Sequence, residues 1–416
     1  MKPHSPQKLR DRTNDTAYAR ATPPPGSGQW ETPWVQLKYF TYHPTVYPRF
    51  LAAVSPGTKR GALVAVYDRE GQRFGSGFYN PGARVPLRMM HHGQDAFTEA
   101  ALLDKLRSAV RFRLDTLELP AVTDACRLVH SDGDGLSGLV VDKYADVLRV
   151  EVHSQGVWQR LPQWLPVLHE AAGTRRHLCT VDPDIARIEN IPPGTGENPD
   201  NIRSVKIREH GVRYLVNFAE GHKTGFFCDQ RDNRLRLARL VKGRNLLDLC
   251  SYTGGFSLAA KVLGGAGEVT AVDLDEKAID QARDNANLNQ VRLQFVHTDA
   301  FKYARQMQQL GRTWGAVVLD PPKLVFTRDD EDGGRRKYED LNRLALTLVE
   351  PGGIFVTCSC SGLVSGGEFE SIVIKAAHRE GKRLQFFDRT GPGSDHPVMS
   401  NCPESNYLKV LWARVF

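Results

Sequence analysis

The stretch Leu247-Asp-Leu-Cys-Ser-Tyr-Thr-Gly-Gly-Phe256 decides how the second half of the chain folds. It begins with apolar residues typical of a buried strand and runs into a turn, where Gly254 and Gly255 let backbone amides approach a ligand closely. Further apolar strands alternate with helical stretches, and the predicted strands cover residues 245–249, 268–273, 293–296, 316–320 and 353–357. This alternation predicts an α/β domain whose parallel sheet is covered by helices on both faces.

Acidic residues mark the ends of these strands, at the edge where open α/β sheets bind their ligands. Asp273, Asp299 and Asp320 end the second, third and fourth strands, and Asp248 lies in the first. A carboxylate at Asp273 can hold both hydroxyls of a ribose, and Asp299 can accept a hydrogen bond from an adenine amino group. A single aspartate at this place is often only a helix cap. Four in order are a much more specific signal of a nucleoside site.

Two cofactor classes contain such a nucleoside. A nicotinamide dehydrogenase needs the spacing G-x-G-x-x-G to place a pyrophosphate on a helix N-terminus, and this turn has only an adjacent glycine pair. S-adenosylmethionine has no phosphate and can dispense with that motif. The sequence therefore predicts an S-adenosylmethionine-dependent methyltransferase, whose cofactor contacts Asp248, Ser251, Tyr252, Thr253, Gly254, Gly255, Asp273, Asp299 and Asp320. Residues 221–234 are expected to close over the methionine end, with Arg231 either pairing its carboxylate or lying on a helix surface.

Asp320-Pro-Pro-Lys323 and Cys358-Ser-Cys360 carry the information on chemistry. Methylation of carbon C5 of a pyrimidine needs a nucleophile that adds to C6, and a thiolate suits this role. We predict Cys360 as that nucleophile, with Cys358 as its rival, although Cys358 fits better as a small buried apolar residue. Asp320 would hydrogen-bond or protonate N3 of the base. Lys323 would favour the thiolate or contact an RNA phosphate.

The 416 residues are too many for one ordinary domain. Residues 1–34 are polar, basic and proline-rich, which predicts a disordered tail. Short alternating strands predict a small barrel over 35–95, a central α+β domain follows over 96–204, and the methyltransferase domain takes 205–416. RNA-binding candidates on the barrel are Arg60, Arg73, Arg84 and Arg88.

Composition narrows the class of protein. The formal net charge of +7 permits a polyanionic partner such as RNA without proving one. No run of about eighteen apolar residues predicts a membrane span, and the N-terminus lacks the apolar core of a secretory signal. The seven cysteines include no C-x-x-C pair, so neither a disulfide framework nor a metal site is expected. The sequence predicts a cytoplasmic protein with free thiols.

Over residues 36–416 the chain resembles the PUA-domain-containing large-subunit rRNA cytosine-5 methyltransferases. The matching segments include 61–81, 126–142, 221–234, 251–256, 320–323, 359–362, 395–398 and 407–409. The resemblance implies a PUA barrel that binds RNA, a central α+β unit and a Rossmann-like catalytic domain. It also implies S-adenosylmethionine as cofactor, ribosomal RNA as partner, and a homodimer.

Three features depart from the family pattern: the N-terminal tail, the acidic insert Arg328-Asp-Asp-Glu-Asp-Gly-Gly334, and Cys358 at a position where an apolar residue is more typical. Related enzymes methylate guanine in the same RNA, which is the nearest alternative. A non-catalytic RNA-binding protein that keeps the fold is a more distant one, and the presence of Asp273, Asp320 and Cys360 argues against it.

Overall fold

The computed structural model of the chain describes residues 23–192, 196, 198–218 and 225–416. Part of the predicted tail, 1–22, and part of the predicted cofactor-closing segment, 221–224, lie outside the described residues. Within them the strands form sheets of six, four, two and seven strands in chain order. None of the helices described here is long and apolar enough to cross a membrane.

The first sheet contains β1 (Trp34–Leu37), β2 (Thr45–Val46), β3 (Leu51–Val54), β4 (Ala62–Tyr67), β5 (Arg73–Tyr79) and β6 (Leu87–His92), in the order β2-β6-β5-β4-β1-β3. Strands β1 and β4 are parallel, and the other pairs are antiparallel. Val46 and Leu51, from the two edge strands, share one apolar cluster with residues of the central strands. The sheet therefore curls so that its edge strands share this core, which gives the predicted small barrel.

Aromatic packing orders the residues just before this barrel. The ring of Trp30 stacks on Tyr67 with centroids 4.2 Å apart, and Trp34 begins β1 as a buried residue. A 3-10 turn, Ser27–Gln29, precedes them. Residues 27–34, which the sequence predicted to be part of a disordered tail, are therefore ordered, because packing these indole rings fixes the chain.

The middle of the chain forms α1 (Glu99–Arg111), β7 (Ala125–His130), β8 (Leu139–Tyr144), β9 (Val147–Val152), α2 (Gln155–Ala172), β10 (Arg176–Thr180) and α3 (Pro183–Glu189). The sheet order is β10-β9-β8-β7. Helices α1 and α2 pack on this sheet through one apolar cluster that includes Leu106, Leu128 and Trp164. The hydroxyls of Thr98 and Ser154 accept the first free amides of these two helices.

A hairpin leads from this unit to the last domain. Its strands are β11 (Ser204–Glu209) and β12 (Val212–Asn217), joined at His210 and Gly211, whose φ angles of 49° and 89° suit a two-residue turn. The amide of Leu215 on β12 donates to the Asn285 side chain of the last domain over 2.7 Å.

The last domain comprises α4 (Arg231–Ala238), β13 (Leu246–Leu249), α5 (Gly255–Val262), β14 (Val269–Asp273), α6 (Glu276–Leu288), β15 (Gln294–His297), α7 (Ala300–Gln309), β16 (Trp314–Leu319), α8 (Glu331–Thr347), β17 (Val349–Ser359), α9 (Gly366–Arg379), β18 (Leu384–Thr390) and β19 (Lys409–Val415). Its sheet has the order β15-β14-β13-β16-β17-β19-β18. The first five strands in this order are parallel, and β19 is antiparallel to both neighbours.

Two apolar clusters cover the two faces of this sheet, one with α7, α8 and α9 and the other with α4 and α5. The predicted α/β class is therefore confirmed. In this sheet β14 lies on one side of β13 and β16 on the other, so the strand order reverses direction at β13. Ligands bind at such a topological switch point. The acidic insert 328–334 forms a 3-10 turn and the start of α8, where negative charge stabilises a helix.

Candidate active site

The turn that follows β13 is held in an unusual backbone conformation. Cys250, Tyr252 and Gly254 all have positive φ, at 62°, 48° and 82°. Non-glycine residues in this region cost about 1–3 kcal/mol each and cluster at ligand sites. A Cβ on Gly254 would also lie 3.2 Å from the Cβ of Ala282. The sequence Cys-Ser-Tyr-Thr-Gly thus forms a strained turn at the carboxyl edge of the sheet, where a ligand is expected.

Asp248 lies in β13, just before this turn, and hydrogen-bonds to the helix that follows the turn. Its side chain is buried, and Oδ2 accepts hydrogen bonds from the Ser257 amide at 3.0 Å and from the Ser257 hydroxyl at 2.6 Å. Burial raises the pKa of Asp248 to about 7. The aspartate therefore anchors the first turn of α5, a supporting position that the sequence alone does not distinguish from direct contact with the cofactor.

Asp273 and Asp299 end their strands as predicted, but they are used differently. The two oxygens of Asp273 accept the amides of Tyr252 at 2.8 Å and Asp275 at 2.9 Å. These bonds fix the carboxylate beside the strained turn. Asp299 accepts the Lys302 amide at 2.9 Å and caps α7, so the helix-cap interpretation applies to it.

The remaining predicted cofactor residues lie in the same turn. Ser251 and Thr253 are buried, and the Ser251 hydroxyl has no hydrogen-bond partner among the described residues. A Cβ on Gly255 would lie 3.2 Å from Cδ of Arg234, so this glycine lets α5 approach a buried guanidinium. The ring of Tyr252 packs against Phe227, with centroids 5.1 Å apart.

Arg231 has a different partner from the one predicted. Its guanidinium is fully buried and makes a bidentate ion pair with Asp395, at 3.0 and 2.8 Å. Although burial acts to raise it, His396 and Arg231 hold the pKa of Asp395 well below its usual range. Recruiting Arg231 to a cofactor carboxylate would deprive the buried Asp395 carboxylate of its guanidinium partner, which is strongly unfavourable. This placement contradicts the prediction that Arg231 binds the methionine end.

Asp320 lies at the end of β16 in a polar network that the sequence did not reveal. Its Oδ2 accepts the amide of Gln230 at 3.0 Å, and Asn233 orients Gln230 by donating to Oε1 at 2.7 Å. Burial raises the pKa of Asp320 to about 7, and the nearby Asp229 carboxylate adds to the rise. The carboxyl group is therefore partly protonated at neutral pH and can donate a hydrogen bond.

The two candidate cysteines have different environments. Cys358 is fully buried within β17, with Gln230 Nε2 3.6 Å from its sulfur. Burial, with a contribution from Asp320, raises the pKa of the Cys358 thiol well above its usual value. Cys360 lies beyond the end of β17 and is only partly buried. The structure thus supports Cys358 as a buried apolar residue and leaves Cys360 as the more accessible thiol.

Lys409 is a cation beside Cys360 that was not singled out from the sequence. It pairs with Ser359 across β17 and β19, and its ammonium donates to the carbonyls of Ser361 at 2.7 Å and Tyr407 at 2.8 Å. Burial lowers the pKa of Lys409 to about 8, while Cys360 acts to raise it and Lys323 to lower it. Lys409 therefore brings positive charge to the thiol, and Lys323 lies close enough to Lys409 to act on its pKa.

The arginines predicted to bind RNA are not equivalent. Arg73 pairs with Glu31, and Arg88 pairs with Glu189 at 3.4 Å, so both serve contacts inside the protein. Arg84 is exposed, and Arg60 lies beside Gly82. Two of the four predicted RNA contacts thus already hold protein carboxylates.

Comparison with known proteins gives the family. Residues 171–412 match a family described as S-adenosylmethionine-dependent methyltransferase, and residues 38–92 match the PUA-like domain. Ribosomal RNA large subunit methyltransferase I of Escherichia coli is 33% identical over 386 residues, which cover 90% of this chain and 95% of that protein. The enzyme of the same name from Shewanella frigidimarina is 35% identical, with coverage of 90% and 96%.

Solved structures agree on the fold. A methyltransferase solved in complex with SAH aligns with a TM-score of 0.75 at 20% identity, covering 90% of this chain and 96% of that one. A SAM-dependent methyltransferase from Streptococcus mutans gives 0.73 at 21% identity, with coverage of 86% and 93%.

These matches confirm the predicted cofactor, S-adenosylmethionine, and the PUA-like character of the first barrel. The catalytic-domain match spans more than half of the chain, and the curated relatives align along nearly all of it. The chain therefore belongs to the ribosomal RNA large subunit methyltransferase I family of S-adenosylmethionine-dependent methyltransferases.

Proposed function

We propose that this protein methylates carbon C5 of a cytosine in large-subunit ribosomal RNA through a covalent adduct at Cys360. The observation that carries the proposal is the partly exposed thiol of Cys360 beside Lys409, at the same sheet edge as a carboxyl group whose pKa is about 7. The names of the curated relatives supply the class of RNA. A ribosomal substrate also agrees with the cytoplasmic location predicted from the sequence.

The turn 250–255 and Asp273 fit the cofactor. The buried hydroxyl of Ser251 has no hydrogen-bond partner among the described residues and offers a polar group to a ligand, and the positive φ angles lie in a turn of the kind that clusters at ligand sites. We assign the ribose hydroxyls to Asp273, the adenine to the neighbourhood of Asp299, and the methionine end to the turn. When bound, S-adenosylmethionine supplies the electrophilic methyl group that C5 takes up.

Residues of this chain then activate the base and stabilise the negative charge that develops on it. The target cytosine leaves its stack to reach the crevice, and the Cys360 thiolate adds to C6. This addition drives electron density toward C5 and N3, where protonated Asp320 donates a hydrogen bond. Lys409 stabilises the thiolate, because an adjacent cation lowers the pKa of a cysteine. After methylation, loss of the C5 proton and departure of the thiolate restore Cys360.

A substrate with fluorine at C5 tests the adduct. Incubation of the enzyme and S-adenosylmethionine with ribosomal RNA containing 5-fluorocytosine should give a covalent protein–RNA complex, because fluorine is not lost as a proton is. Cys360→Ser should abolish the complex, and the matched variant Cys358→Ser should retain it.

Three other outcomes would contradict the proposal. Loss of the complex in Cys358→Ser alone would make Cys358 the nucleophile. Methyl transfer to ordinary RNA without trapping would indicate guanine as the target. RNA binding without any transfer would indicate a non-catalytic RNA-binding protein. The homodimer implied by the resemblance is tested separately, by sedimentation equilibrium.

A further inference from the structure

We propose that an exposed aromatic surface on the barrel stacks against unpaired nucleotides that flank the target base. This surface, called here the aromatic segment, is Tyr39-Phe40-Thr41-Tyr42 between β1 and β2. The proposal rests on the proposed function only in that the nucleotides belong to the RNA substrate. It adds a recognition site distinct from the barrel arginines considered above.

The aromatic segment exposes an unusual amount of ring surface. The exposed fractions of Tyr39, Phe40 and Tyr42 are 53%, 62% and 56%. Contiguous exposed apolar surface of this kind marks an interaction site more often than an accident of folding. Because these rings lie outside the apolar clusters of the barrel, burial in a core does not account for them.

Packing on the barrel holds the rings in place. Phe40 and Tyr42 meet edge to face with centroids 4.9 Å apart, and both contact Phe74 of β5, at 5.0 and 5.4 Å. Tyr42 also lies 5.6 Å from the His92 ring. Because the rings are already ordered, little conformational entropy is lost when a ligand covers them.

Contacts connect the aromatic segment to the catalytic edge. Asn401 donates to the carbonyl of Tyr42 at 2.7 Å, and Nε2 of His43 hydrogen-bonds to the Glu404 carboxylate. A Cβ on Gly362, two residues after Cys360, would lie 4.0 Å from the carbonyl oxygen of Glu404. An RNA strand that delivers a base to Cys360 therefore passes close to the aromatic segment.

Cations beside these rings indicate nucleic acid as the occupant. The Lys38 ammonium lies 5.3 Å from the Tyr39 ring centroid, and the Arg49 guanidinium lies 5.0 Å from that of Phe50, which itself contacts Tyr39. Aromatic rings interleaved with basic residues are the pattern of single-strand binding surfaces. Bases must be unpaired to stack here, because a duplex covers its base faces, and flipping the target base unstacks its neighbours.

The test compares single-stranded with duplex RNA. The probes are a fluorescent single-stranded ten-nucleotide RNA and the same strand annealed to its complement, both at fixed salt. The double variant Phe40→Ala/Tyr42→Ala should weaken binding of the single strand by at least about tenfold and leave duplex binding within twofold. Tyr42→Trp should keep the affinity, and Phe387→Ala, on an edge strand with 40% exposure, serves as the matched control.

Further measurements identify the cause of any loss. Removing the rings should leave the slope of log Kd against log salt unchanged, because no phosphate contact is lost. Equal loss for single strand and duplex, or unchanged affinity for both, would overturn the inference and leave the rings to a protein partner. Trapping of 5-fluorocytosine by Cys360 is read separately, so stacking without trapping would refute only the proposed function.

Discussion

Replacing Asp273 by asparagine should weaken the binding of S-adenosylmethionine by about 10- to 150-fold. Hydrogen bonds to a charged group contribute about 1.5–3 kcal/mol, and about 1.4 kcal/mol corresponds to a factor of ten. The carboxylate oxygens already accept the amides of Tyr252 and Asp275, and each keeps a further lone pair with which it can accept from a ribose hydroxyl. Asparagine keeps only one acceptor oxygen, so in either orientation its NH₂ group replaces one acceptor oxygen and faces a backbone amide, that of Tyr252 or that of Asp275.

Isothermal titration calorimetry measures this loss directly. Alanine is a poorer choice, because it removes both bonds to the backbone and relaxes the strained turn. Asp275→Asn is the matched control: Asp275 caps α6 through the Lys277 amide at 3.0 Å, and asparagine caps a helix about as well. Affinity within twofold of wild type for Asp273→Asn, or an equal loss in the control, would refute the assignment of the ribose to Asp273.

Three more predictions concern the base chemistry and the buried charges. Lys409→Met should raise the apparent pKa at which iodoacetamide alkylates Cys360, and Lys409→Arg should largely restore it; an unchanged profile would remove Lys409 from the thiolate site. Because burial raises the pKa of Asp320 to about 7, its donating form is lost as the pH rises through 7. The alkaline limb of kcat/KM near pH 7 should therefore disappear in Asp320→Asn, and its persistence would contradict the donor role. Asp395→Asn should lower the free energy of unfolding by about 3–5 kcal/mol, because it leaves Arg231 buried without its full counter-charge; a loss below 1 kcal/mol in urea titrations would contradict this.

The fold of the catalytic domain was predictable because the spacing of apolar residues along the chain indicates which segments are buried strands and which are helices. Each predicted strand from 245 to 357 overlaps a strand of the final sheet, since strands covered on both faces are apolar throughout. The turn after β13 was also predictable, because two adjacent glycines at a strand end have few other uses, but the positive φ angles of Cys250 and Tyr252 were not.

Partners of polar groups were not predictable in the same way. The pairing of Arg231 with Asp395 joins positions far apart in the chain, and only tertiary packing selects it. Lys409 reaches Cys360 because β19 inserts beside β17, an antiparallel neighbour that local patterns do not specify. Trp30 was wrongly predicted to lie in a disordered tail for the same reason, because its partner Tyr67 lies on β4, far along the chain.

The pairing at Asp395 limits how the protein can be divided. Besides binding Arg231, its carboxylate accepts the amide of Arg127, and its carbonyl accepts the Arg113 side chain, both from the central domain, at 2.9 and 2.8 Å. A fragment beginning at residue 205 would lose these donors and expose the buried ion pair to water. The predicted boundary at residue 204 therefore separates two units in the chain, but the unit that follows it depends on contacts from the unit before it. Efforts to express a minimal catalytic fragment should retain the chain from residue 96 onward.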